Sequence, residues 1–328
     1  MIYARHGAII KATEHMLLFW MIIFIVSLFV LLRGADWFLS SSEKIGFAAG
    51  FSPFVVGIVI VGLGTSLPEI LSSLVAAIKG VTEIVPANAI GSNIANIFLI
   101  IGLSAVWGGS LAVTKNLIDL DLPLLAISTA LFLDIAWDKQ ITFGESVLLL
   151  ALFAVYFAYT IFYKDEKRGE EENNVKRRSK VSFKDILLLL VGGFALIAGA
   201  KYLVDSVIKL SEILAIGTGV ISLAAVAFGT SLPELFVSVK AARQNKPEIA
   251  LGNIFGSNVF NILVAVGLPG LFGVLRLDEQ TFKIGLPMML IATVLFVISG
   301  ISKRIHVYEG AMYLVIYMFF IGKLFNLI

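Results

Sequence analysis

The chain has 328 residues, 59% hydrophobic and 15% charged, with a formal net charge of +2, a mean hydropathy of +0.96 and no cysteine. That balance excludes an ordinary soluble globular domain. The lack of cysteine excludes disulfides and thiolate metal sites, and the absence of a basic, aromatic-interleaved surface excludes a nucleic-acid binder. Apolar runs such as 17–32 must satisfy their own backbone groups in hydrocarbon, and no long apolar/polar alternation supports a barrel, so the sequence predicts an all-α polytopic membrane protein.

Residues 1–15, which carry Arg5, His6, Lys11, Glu14 and His15, are expected to be an N-terminal tail, either a short tail or an extension upstream of a start at Met16. The apolar run after them is too long for a signal peptide and reads as a retained first span. Apolar stretches between polar breaks predict ten spans, near 17–40, 53–79, 84–107, 117–136, 141–163, 183–210, 217–241, 248–272, 281–300 and 305–326. Residues 16–163 and 183–328 thus carry five spans each, joined by a solvated linker at 164–182. Eight Lys and Arg residues between Lys164 and Lys184 predict a cytoplasmic linker, which places both termini outside the cell.

The two halves repeat at a fixed offset. GTSLPE stands at 64–69 and again at 229–234, NAIGSNIANI at 88–97 is matched by NIFGSNVFNI at 253–262, and each matched pair is 165 residues apart, as are Gly34-Ala35 and Gly199-Ala200. The matched letters are polar, Gly and Pro, so shared membrane composition does not explain them. An offset carrying five spans turns the second copy over, which predicts two inverted-topology five-helix repeats, with a binding site where interrupted helices meet near mid-membrane.

The motifs predict the chemistry of that site. Pro68 and Pro233 cannot donate to the carbonyls of Gly64 and Gly229, so each helix should break there and leave carbonyls in need of a partner. Thr65, Ser66 and Glu69, repeated as Thr230, Ser231 and Glu234, are hard oxygen donors suited to Ca²⁺ or Na⁺. A proline kink bearing Ser and Thr can be mere packing. A buried glutamate at each of two matched kinks points to function instead. Ser92 and Asn96 share a helix face, as do Ser257 and Asn261, and are read as further ligands. Asn88, Asn93, Asn253 and Asn258 are read as interhelical hydrogen-bond glue.

With both motif pairs in place, the chain resembles the calcium/cation antiporter superfamily, and most closely its sodium/calcium exchanger branch of prokaryotic type. The resemblance implies that Glu69 and Glu234 are the central acidic ligands, with Thr65 and Thr230 beside them on Ca²⁺. It further implies that Ser66, Ser231, Ser92 and Ser257 help form Na⁺ sites with the backbone carbonyls of Gly62 and Ala227, and that Asn96 and Asn261 complete the middle. Asn261 stands where potassium-dependent relatives have aspartate, and Gly91 and Gly256 stand where the proton/calcium branch has an acid, which disfavours both couplings. The implied activity is electrogenic exchange of Na⁺ for Ca²⁺ by alternating access, with the first and sixth spans as the gating pair. A proton/calcium antiporter, or a passive cation channel from a different class, are the alternatives. No enzyme and no cofactor are expected; the partners are the two ions and the lipid of the cell membrane, and the chain is expected to work as a monomer. For Lys201 and Asp205 a pair at a helix end, or snorkelling at the membrane interface, is expected.

Overall fold

A computed structural model describes residues 2–49, 64–113, 121–165 and 181–328, with residues 2–12 and 159–165 as backbone. The predicted spans 53–79 and 117–136 therefore lie partly outside the described residues, as do most of the predicted linker and Gly62.

Among the described residues, eleven helices position the site. They are α1 (Ile2–Ala48), α2 (Leu67–Ile78), α3 (Ile84–Gly108), α4 (Leu122–Ile135) and α5 (Phe143–Asp165) in the first half. The second half has α6 (Phe183–Leu214), α7 (Thr218–Thr230), α8 (Leu232–Arg243), α9 (Pro247–Gly270), α10 (Thr281–Ile301) and α11 (Val307–Leu324). Helix α1 runs through the residues predicted to be a tail. Among the described residues, six helices are long and apolar enough to cross a membrane, and α7 with α8, bent by 45° at Ser231, would make a seventh. Helix α6 starts where the sequence places it because Ser182 and Asp185 close a capping box.

Burial sorts these helices into layers. In α3 and α9, 83% and 78% of the span is inside the protein, against 11% in α1, so α3 and α9 form the centre and α1 faces outward. A helix surrounded by protein can carry asparagine, because neighbouring helices supply the partners that lipid cannot. The long helices α1 and α6 pack along a seam of small residues: a Cβ on Gly34 would lie 2.7 Å from the Leu196 nitrogen, and one on Gly199 would lie 2.7 Å from that of Leu31. The same helix α1 lays Leu39 over Gly64 and Leu28 over Gly229, the glycines of the two GTSLPE copies.

Connections between helices are tied across the halves. Strand β1 (Leu111–Ala112) pairs antiparallel with β4 (Arg304–Ile305), and β2 (Gln140–Ile141) pairs with β3 (Leu275–Arg276). Lys44 meets Asp185 at 2.8 Å and Thr218 donates to Glu83 at 2.8 Å. Asp205 pairs with Lys79, the residue that caps the C-terminal end of α2, which corrects the first of the two expectations, a pair with Lys201; the Lys201 ammonium lies over the Tyr202 ring, 5.3 Å from its centre. A lysine one turn away on the same helix is the weaker partner when a second helix brings another within direct contact.

Glu279 is held by Lys139 at 2.5 Å and Lys283 at 2.8 Å, and these two ammonium groups lower its pKa to about 2. A depressed pKa stabilises the folded state above the ordinary carboxylate pKa, and that contribution is lost as pH falls towards 2. Glu279→Gln should therefore lower the melting temperature slightly at pH 7, the groups being exposed. Melting curves of both proteins in detergent should converge as the pH approaches 2; an equal gap at both pH values would count against the ion pairs.

Candidate ion site

The two GTSLPE copies share one backbone break at their serine. Ser66 and Ser231 stand at the break with φ/ψ of −90°/8° and −81°/5°, outside helical geometry, and a new helix begins one residue later with Pro68 and Pro233 in its first turn. Proline belongs there, because a first-turn N–H has no partner to lose. The sequence expectation of a kink is thus realised as the start of a half-helix. Glu69 and Glu234 fall in the first turn of those half-helices, where the helix dipole favours a carboxylate. The pattern S-x-x-E also fits a capping box, but neither serine makes a side-chain cap. Both hydroxyls are left for something else.

The halves interlock at this point. Thr65 and Ser66 stand within reach of the Glu234 carboxylate, Thr230 stands within reach of that of Glu69, and the two carboxylates are close enough to repel each other. Each glutamate is 1% exposed. Ser257 donates to Glu234 at 3.1 Å from α9, and Asn253 of the same helix donates to the Ser238 hydroxyl at 3.0 Å and the Glu234 backbone carbonyl at 3.4 Å. In the first half the matching groups of Ser92, Ser73 and Asn88 are fully buried, Asn88 more so than its counterpart Asn253, but make no such bonds among the described residues.

Helices α3 and α9 supply the rest. Each widens into π-helical turns at the motif asparagine, over Ala95–Ile101 around Asn96 and over Asn261–Ala265 from Asn261. Such turns recur at functional sites. Asn96 donates to Asn258 Oδ1 at 3.0 Å, Asn261 donates to Asn93 Oδ1 at 3.1 Å, and Asn93 donates to the Asn258 carbonyl at 3.1 Å. The reading of Asn93 and Asn258 as links between helices fits these bonds, but it missed that they hold the two candidate ligands. The one signal for this in the sequence is that both belong to the repeated G-S-N triplet.

What the arrangement can bind follows from its unpaired atoms. Ser66 Oγ, Glu69 Oε2, Ser92 Oγ, Asn96 Oδ1, Ser231 Oγ, Glu234 Oε2 and Asn261 Oδ1 are buried without a hydrogen-bond partner among the described residues. Buried oxygens without a donor are costly. Here all are hard donors flanking two carboxylates, the set a Na⁺ or Ca²⁺ ion requires. The Ala227 carbonyl is engaged by the Ser231 N–H at 3.1 Å and the Thr230 hydroxyl at 3.4 Å. Thr65 is half-buried and opens on a cleft of about 610 Å³ between α1 and α8, lined by Phe29, Leu39, Pro233 and Phe236.

Similarity to known proteins agrees with this geometry. The family model described as "Sodium/calcium exchanger protein" matches residues 19–162 and 184–325. The sodium/calcium exchanger MaX1 of Methanosarcina acetivorans is 33% identical over 93% of this chain and 98% of its own. A membrane protein of Methanocaldococcus jannaschii is 36% identical over 92% of this chain and 96% of its own. A solved structure of the sodium-calcium exchanger NCX_Mj, soaked with Na⁺ and Sr²⁺, superposes with a TM-score of 0.65 at 33% identity, covering 93% of this chain and 98% of that one. The matched stretches take in both repeated motifs and nearly all of each half. The chain belongs to the sodium/calcium exchanger family.

Proposed function

We propose that the protein is a secondary active antiporter that exchanges Na⁺ for Ca²⁺ across the cell membrane by alternating access. The observation that carries this is the pair of buried carboxylates, Glu69 and Glu234, ringed by oxygens without internal partners. Two carboxylates in a low-dielectric interior repel, so the empty ionised site is costly. One Ca²⁺ neutralises both, as do two Na⁺. Shared ligands make occupancy by the two ions mutually exclusive, and only a neutralised site crosses cheaply between states open to opposite sides. A third Na⁺ per Ca²⁺ would move one net charge per cycle, so the membrane potential would contribute roughly 2.3 kcal/mol per 100 mV.

Ten spans in two inverted repeats are part of this proposal. Loop contacts support it. Lys44 with Asp185, Thr218 with Glu83, and the β1–β4 and β2–β3 pairs each join segments that the inverted ten-span plan assigns to one membrane face. Thr65, Thr230, Ser66, Ser231, Ser92, Ser257, Asn96 and Asn261 complete the proposed ligand set, with the backbone carbonyls of Gly62 and Ala227. Both termini outside, a cytoplasmic linker and action as a monomer belong to the same proposal.

The test is uptake of radiolabelled Ca²⁺ into proteoliposomes preloaded with Na⁺ or with choline. Uptake should require internal Na⁺ and should change with a clamped potential. Equal uptake from choline would sink the exchanger assignment, and uptake driven by a pH gradient without Na⁺ would establish the proton-coupled alternative.

A further inference from the structure

An asparagine that serves a cation must present its oxygen, yet its amide nitrogen has almost the same shape and points a positive N–H at the same place after half a turn about χ2. In water either orientation is satisfied. At Asn96 and Asn261, 0% and 1% exposed, only the neighbouring side chains can decide. Both decide it in one sense. The Asn96 amide nitrogen is taken by Asn258 Oδ1 at 3.0 Å and that of Asn261 by Asn93 Oδ1 at 3.1 Å, which leaves Asn96 Oδ1 and Asn261 Oδ1 unpaired. The Asn93 half is anchored, because Asn93 spends its own amide nitrogen on the backbone carbonyl of Asn258 at 3.1 Å; the Asn258 amide nitrogen is buried without a partner among the described residues, so there the bond from Asn96 alone sets the orientation. Simple glue between helices needs any complementary pair. Here the donors toward the partner are the two ligand candidates, and each acceptor sits on the opposite half.

We propose that Asn93 and Asn258 are positioning residues of the ion site, each fixing the amide of the other half's ligand asparagine so that its carbonyl oxygen faces the cation. This rests on the exchanger reading above, and it assigns to the G-S-N triplet a role distinct from that of its serine. Removing the acceptor frees the amide to turn, and a cation then meets an N–H in a fraction of molecules.

The test is a double-mutant cycle read as the Ca²⁺ concentration for half-maximal uptake in Na⁺-loaded proteoliposomes, with the maximal rate recorded separately. Asn258→Leu keeps the side-chain volume and removes the acceptor; it should raise the half-saturating Ca²⁺ about tenfold, the scale of one buried polar group left unpaired. In the Asn96→Ala background the same change should add less than about twofold, because the amide it controls is gone. Equal effects in both backgrounds would overturn the proposal and leave Asn258 as packing. Wild-type affinity in Asn96→Ala alone would instead fail the assignment of Asn96 as a ligand, so the two failures are distinguishable. Should Asn258→Leu not yield monodisperse protein, the mirror cycle of Asn93→Leu with Asn261→Ala carries the same outcomes.

Discussion

Glu69→Gln should abolish Na⁺-driven Ca²⁺ uptake while the protein remains folded, and Glu234→Gln should do the same. Glutamine keeps the volume and the first-turn position of the glutamate, and Pro68 or Pro233 still starts the half-helix, so the backbone has no reason to move. What changes is charge. A divalent ion held by one carboxylate instead of two is left partly uncompensated in the protein interior, and breaking a buried charge pair costs roughly 3–5 kcal/mol, roughly two to three and a half powers of ten in affinity. The same substitution removes the repulsion between the two acids. In ion-free buffer the variant should melt at or above the wild-type temperature, while the rise in melting temperature on adding Ca²⁺ should disappear. A preserved Ca²⁺-dependent rise in either variant would rule out the two-carboxylate site.

Gly91→Ala should be far more harmful than Gly256→Ala, although the two glycines hold the same place in the repeated motif. A Cβ on Gly91 would sit 2.2 Å from the Leu223 carbonyl oxygen and 2.7 Å from the Ala227 Cβ, whereas one on Gly256 meets nothing within 4 Å. The first clash is with the backbone of α7, which leads directly to Thr230 and Ser231. Overpacking of this kind costs about 1–3 kcal/mol or more, and relief by shifting α7 displaces the proposed ligands Thr230 and Ser231 at its end, so exchange should fall by roughly tenfold or more. Gly256→Ala should leave exchange near wild type and, by removing a helix glycine, raise stability by up to about 1 kcal/mol. Transport rates and melting temperatures of the two variants decide this directly; equal behaviour would show that the α3–α7 approach is looser than the structure has it.

That contrast marks how far the sequence reaches. The half-helix breaks were legible, because proline after glycine, threonine and serine leaves the chain few choices. The meeting of the hydroxyls with the two carboxylates was legible too, because these side chains recur together at one spacing. Span ends at Phe183 and Ile84 agree with the prediction, since capping chemistry and apolar runs are local. The difference between Gly91 and Gly256 was not legible, since it depends on which neighbour crosses each helix. Nor was the service of Asn93 and Asn258 to Asn261 and Asn96, because those bonds join residues more than 160 positions apart. The partner of Asp205 was hidden for the same reason: Lys79 comes from the end of another helix.

The bonds of Asn253 to Ser238 and to the Glu234 carbonyl, with Asn88 and Ser73 unbonded at the matching places, bear on the balance between the two end states of the proposed alternating-access cycle. The residue types are identical in the two halves, so a tie made in one half has a counterpart of nearly equal strength in the other. An offset of about 1.4 kcal/mol between two conformations already leaves one of them at a tenth of the other's population. A duplicated set of parts keeps that offset small without any tuning. The sign of net Ca²⁺ movement is set by the gradients and the potential whatever that offset; in the proposed cycle a small offset lets the site be reached with similar ease from either side.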